Sequence, residues 1–180
     1  MDAIGNARRA LCLVVAAGLI GLWTAFLAQR DAALADSGEP YRQSLLIDRP
    51  VAEVWQALTE KRLVDLYYLA PLGADIEAAG SEIYYGLPDQ KMILGEVRRL
   101  EAPRLLEHSF RFAFGAPPEE SLVTYRLEPE AGGTRLTLEH RGFEPDSQSY
   151  ADISGGWPII LGNLKALLEG PGGPSVAETP

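Results

Sequence analysis

A chain of 180 residues that is 47% hydrophobic and 23% charged can bury a core of its own, which excludes wholesale disorder. Its formal charge of -9 sets it against phosphate backbones and excludes nucleic acid as a natural partner. One cysteine, Cys12, and two histidines exclude an internal disulfide and a Cys/His zinc cluster, and no cofactor motif or metal-ligand spacing is present.

Arg8 and Arg9 precede an uncharged run from Ala10 to Ala28, a length shared by long signal-peptide cores and short membrane spans. Ala33-Leu34-Ala35 before Asp36 has the small-x-small pattern of a cleavage site. Residues 1–35 are therefore expected to be a signal peptide or an N-terminal membrane anchor, with 36–40 a linker. Positive charge before the run and mostly acidic residues after it direct the rest outside the cytoplasm, exported and periplasmic or extracellular. Membrane contact is then expected only through this segment, if it stays uncleaved.

Tyr41–Asp48 has strand composition. Pro50 suits a first helical position, Glu53 suits the positive end of the helix, and Val51, Val54, Trp55 and Leu58 fall on one face. Thr59 is placed to cap a second short helix through Leu63, Val64 and Tyr67 that stops before Pro71. The period then changes to two. Strands are expected near Asp75–Glu77, Glu82–Tyr85, Lys91–Leu100, Leu105–Phe114, Leu122–Glu128 and Thr134–Arg141, joined by Gly/Pro/Asp turns that suit an antiparallel meander.

Near the end, Tyr150, Ile153, Trp157, Ile160, Leu161, Leu164, Leu167 and Leu168 keep one helical register straight through Pro158. One helix from about Gln148 to Glu169 is expected, kinked where Pro158 offers no N–H to Ser154. A second face, Ala151, Gly155, Gly162 and Ala166, is small, which suits close approach to a sheet or room for a ligand. The Gly- and Pro-rich residues 171–180 read as a disordered tail. One long apolar helix against a curved antiparallel sheet is a two-layer α+β domain, with two short helices after the first strand at one open end.

"DRPVAEVWQALTE", "LGEVRRLEAPRLLEHSF", "SLVTYRLEPEAGGTRLTLEHRGF" and "GGWPIILGNLKALLEG" resemble the START-like helix-grip superfamily, SRPBCC or Bet v 1-like. Within it they are most similar to the branch named for the C-terminal domain of the activator of heat shock protein 90 ATPase. The resemblance covers residues 41–170 and implies a deep apolar cavity between sheet and helix, used in the superfamily for lipids, sterols, polyketides and aromatic compounds. The chain departs from the co-chaperone in its export signals and in lacking the activator's separate N-terminal domain, so chaperone activation is not expected.

Strand alternation puts Leu106, His108, Phe110 and Phe112 on one face of their strand, and Leu136, Leu138 and His140 on one face of theirs. Both histidines thus share parity with the cavity side. An imidazole there can bond a ligand oxygen or exchange protons near its ordinary pKa of about 6.5, or be a core histidine tied to a neighbour. Tyr125 sides with Val123 and Leu127, and of Tyr84 and Tyr85 one faces inward. Trp157 and Leu161 on the helix stripe complete the candidate lining set: His108, Phe110, Phe112, Tyr125, Leu138, His140, Trp157 and Leu161. Trp55 and Trp157 read first as core anchors. Glu96 and Arg98 read as an outward polar pair, and Pro117–Ser121 as a solvated loop rather than a metal site.

Three functions remain open. One is a binding protein for a hydrophobic small molecule. Another is an enzyme of cyclase, dehydratase or hydrolase type with His108 or His140 moving protons. The last is a protein-interaction module related to the activator domain. No catalytic constellation, cofactor or metal site is assigned, and oligomeric state is not specified by the sequence.

Overall fold

The computed structural model describes residues 40–114, 120–143 and 147–171. The expected leader at 1–35, most of the 36–40 linker, most of the Pro117–Ser121 loop and the tail from 172 lie outside the described residues. In chain order the elements are β1 (Tyr41–Ile47), α1 (Val51–Thr59), α2 (Lys61–Val64), β2 (Glu82–Leu87), β3 (Gln90–Glu101), β4 (Leu105–Phe112), β5 (Ser121–Glu130), β6 (Gly133–Arg141) and α3 (Gln148–Glu169). The strands form one antiparallel sheet in the order β1-β6-β5-β4-β3-β2, so β1 and β2 are its edges. The fold is α+β, a six-stranded antiparallel sheet gripping a C-terminal helix. Among the described residues no helix is long and apolar enough to cross a membrane.

α3 runs as one helix with Pro158 inside it, and its stripe Ile153, Trp157, Ile160, Leu161, Leu164 and Leu168 is buried. Ser147 caps it, its hydroxyl accepting from the Tyr150 N–H at 3.1 Å. Ser154 turns its hydroxyl back to the Tyr150 carbonyl at 2.7 Å. The small face does not approach the sheet: Ala151, Gly155, Gly162 and Ala166 are all exposed. The bulky stripe, with far more apolar area to hide, decides which way the helix turns. At its C-terminal end, Lys165 Nζ donates to the Leu46 carbonyl at 2.5 Å and Glu169 accepts from the Asp48 N–H at 2.8 Å. That end is thereby fixed to the β1–α1 junction.

Asp75–Glu77 is not a strand. Ile76 N–H donates to the Thr59 carbonyl at 2.8 Å, and the backbone on either side meets the sheet at an isolated bridge from Leu72 to Tyr85 and at Gly80 and Ser81, which bond to Val97. The segment serves the short helices instead. Asp75 accepts from Lys61 N–H at 2.7 Å, and Asp65 accepts from Leu72 N–H at 2.8 Å. Thr59 does not cap α2; its hydroxyl donates to the Trp55 carbonyl at 2.9 Å, closing α1.

Two irregularities shape the far side of the sheet. β2 shifts register between Tyr85 and Gly86, where φ is +125° and a Cβ would lie 2.5 Å from the Gln90 carbonyl oxygen, so glycine alone fits. β3 bulges between Val97 and Arg99, and there Ser109 Oγ accepts from the Glu96 N–H at 3.0 Å. Because β4 itself pairs regularly with β5, His108 opposite Val123, the alternation read from the sequence of β4 survives.

Candidate functional site

The inner face of the sheet packs against α3 through Val97, Leu106, Phe110, Val123, Leu127, Leu136 and Leu138. At one end this packing opens. The N-terminal half of α3 supplies Asp152, Ile153, Gly156, Trp157 and Ile160; β3, β4 and the residues just beyond supply Met92, Ile93, Phe110, Phe112 and Phe114; the turn after α2 supplies Tyr68, Leu69 and Ala70. Together they enclose a cavity of about 140 Å³. Leu69, Met92 and Phe114 are exposed at its rim, and among the described residues Asp152 is its one charged wall residue. Gly156 keeps the wall thin: a Cβ there would meet only Leu69 Cδ1, at 4.0 Å.

Of the eight expected lining residues, Phe110, Phe112 and Trp157 line this cavity. Leu138 and Leu161 are fully buried core and are not part of its lining: Leu138 packs from β6 and Leu161 from the buried stripe of α3. His140, Tyr125 and His108 lie behind Trp157. His140 and Tyr125 place their ring centroids 5.7 and 6.1 Å from the indole, and His108 stands 6.2 Å from Tyr125.

His140 is held by three hydrogen bonds in series. Trp157 Nε1–H donates to His140 Nδ1 at 2.9 Å; an indole can only donate, so Nδ1 carries no proton. Nε2 therefore bears the hydrogen and donates to Ser121 Oγ at 2.9 Å, and the Ser121 hydroxyl in turn donates to the Phe110 carbonyl at 3.0 Å. Burial, with His108 nearby, pushes the pKa of His140 well below its ordinary value. The ring is neutral and fully partnered, which is the core-histidine arrangement and not that of a proton shuttle.

His108 differs. Its Nδ1–H donates to the Ser109 carbonyl at 2.9 Å, while Nε2 is enclosed and has no hydrogen-bond partner. Burial lowers its pKa to about 4. A bare, enclosed acceptor costs about 1–3 kcal/mol.

Alternation turns Tyr125 and one of Tyr84 and Tyr85 inward, and the fold adds Tyr67 and Tyr68 to them. Tyr67 and Tyr68 follow α2, Tyr85 is the inward member of the Tyr84-Tyr85 pair, and Tyr125 is on β5. Tyr84 faces out under Lys91, whose Nζ sits 4.2 Å from its ring. Tyr68 stacks on Tyr85 at 4.2 Å and meets Trp157 edge-on at 6.3 Å. Burial raises the pKa of all four inner phenols, and each of Tyr67, Tyr68 and Tyr125 is raised further by Tyr85. On the outer face, Arg98 joins Glu96 at 3.0 Å and Glu120 at 3.3 Å. Glu107 is covered there by Thr124, which donates to it at 3.1 Å, and by Arg141 at 3.8 Å. Among the described residues no group of three His, Cys, Asp or Glu side chains could hold a metal ion.

Comparisons with known proteins fit this architecture. The protein MLL2253 from Mesorhizobium loti is 27% identical, with 73% of this chain and 97% of that one aligned at a TM-score of 0.66. CalU16 from Micromonospora echinospora is 30% identical over 76% of each chain, at a TM-score of 0.58. DynU16, from the dynemicin biosynthetic locus, is 26% identical over 74% of this chain and 48% of its own, at a TM-score of 0.64. No curated protein matches. The family described as Activator of Hsp90 ATPase homolog 1-like protein matches residues 48–169, from the end of β1 to the end of α3, and the chain belongs to that family.

Proposed function

We propose that this protein is an extracytoplasmic domain that binds a hydrophobic small molecule between its sheet and α3. One observation carries the reading: the aromatic-walled cavity of about 140 Å³ opening through an exposed apolar rim. Its size is close to that of an apolar cavity of about 150 Å³ that takes up benzene. It is small beside the range of about 300–1,000 Å³ for drug-sized ligands. A ligand of one ring or a short alkyl chain fits without rearrangement. The relation to DynU16, from a natural-product locus, is in keeping with a small-molecule role. The extracytoplasmic part rests on the Arg8-Arg9 and Ala10–Ala28 pattern and the acidic residues that follow. Catalysis by the histidines is disfavoured, since His140 is fully partnered and His108 is buried outside the cavity lining.

The test is native mass spectrometry of protein taken from the envelope of its own host, followed by solvent extraction. A lipophile released in stoichiometric amount supports the reading. Ligand-free protein that also fails to take up one-ring arenes overturns it. Intact mass of the envelope form decides between a cleaved leader and a retained anchor.

A further inference from the structure

Resting on the pocket reading, the geometry points to a ligand class: a neutral molecule with a hydrogen-bonding head, a phenol, alcohol or ketone, bound head-inward toward Tyr68, Tyr85 and Tyr125. Tyr68 belongs to both places. Its ring lines the cavity, and it stacks on Tyr85 and abuts Trp157, behind which stands Tyr125. The side-chain hydrogen bonds of this region run through His108 and His140, and none of the three hydroxyls takes part in them.

Nor are those hydroxyls sealed in. The enclosed side-chain atoms without a partner, among the described residues, are Glu53 Oε2, His108 Nε2 and Arg141 Nε. Tyr125 stays 4% accessible where its neighbours Val123 and Leu138 are at 0%. The rings themselves are gathered: Tyr68 lies 4.2 Å from Tyr85, and Tyr68 and Tyr125 both meet Trp157 edge-on, at 6.3 and 6.1 Å.

Charge narrows the head further. Among the described residues no lysine or arginine lines the cavity, and Asp152 stands in its wall, so a carboxylate entering would lose its hydration and gain only repulsion. Neutral hydroxyls both donate and accept, which matches a phenol or an alcohol and serves a ketone by donation alone. An ammonium head finds one carboxylate at the wall and none among the tyrosines.

The experiment is calorimetric titration of the full-length protein in nanodiscs, with empty nanodiscs as blank, using p-cresol, toluene, 4-methylbenzoate and 4-methylbenzylamine at pH 7.5. p-Cresol is expected to bind about tenfold tighter than toluene, and the two ions about as weakly as the blank. Tyr68→Phe, Tyr85→Phe and Tyr125→Phe keep the rings; at least one should bring p-cresol down to toluene's affinity while leaving toluene and the melting temperature unchanged. Equal binding of p-cresol and toluene, tightest binding of either ion, or a preference that survives all three substitutions overturns the head assignment and leaves the pocket standing. Binding of none of the four probes overturns the pocket reading, and this inference with it.

Discussion

Acidification should unfold this protein in a window set by its two histidines. The pKa of His108 falls from 6.5 to about 4 on folding, mainly because burial disfavours the cation. A base whose pKa is lowered by folding stabilises the native state fully above its unfolded value. That contribution is lost as pH falls toward the folded value, because the unfolded chain then binds the extra proton. At about 1.36 kcal/mol per pKa unit, the full contribution of His108 is about 3 kcal/mol, of which about 2 kcal/mol is gone by pH 5. His140 is shifted in the same direction and steepens the decline. Carboxylates whose pKa the fold lowers, such as Glu169, act with the same sign but below this window. The assay is urea unfolding at steps from pH 7 to 5, for the wild type and His108→Leu. The variant should lose about one proton's worth of pH slope, whatever its stability at pH 7. A wild-type stability flat between pH 7 and 5, or a slope unchanged in the variant, refutes the reasoning.

Ser121→Ala strips His140 Nε2–H of its acceptor in a site with no exposure, and should destabilise by about 1–3 kcal/mol in calorimetry. The outcome to contrast is Gly155→Ala, at an exposed helix-interior position with nothing within 4 Å of the added Cβ, which should stabilise by about 0.5–1 kcal/mol. Gly95→Ala would place a Cβ 1.9 Å from the Ser109 carbonyl oxygen, forcing β3 from β4; a loss of about 3 kcal/mol or more, or failure to fold, is expected. Gly156→Leu should fill the cavity, abolishing uptake of one-ring arenes in titration while far-UV circular dichroism stays native.

The sheet and α3 were legible because both rest on periodicity, which local sequence carries directly. The stripe from Ile153 to Leu168 predicts the helix bounds and its buried side. Asp75–Glu77 misled because its apolar centre, Ile76, is anchored by a backbone bond to Thr59, far upstream in chain order, a contact that alternation cannot encode. The small-residue face misled for a related reason: Gly155 and Gly162 permit close packing without compelling it. For the site, parity puts Phe110 and Phe112 on one face of β4, and both line the cavity. It could not separate lining from core, since Leu138 and Phe110 share the inward sense and differ only in distance from the open end of the grip. Tyr67 and Tyr68 lie in a turn with no period, and nothing short of the tertiary fold brings them to Tyr85.

Trp157 has two employments. One face of its ring bounds the cavity, and its Nε1–H fixes the tautomer of His140. If a guest larger than the cavity displaced this part of α3, the indole would part from the imidazole. His140 Nδ1 is then free to take a proton that the closed form refuses. Guest size and acidity thus act on the same displacement and assist one another, since two ligands favouring one state must each raise the affinity for the other.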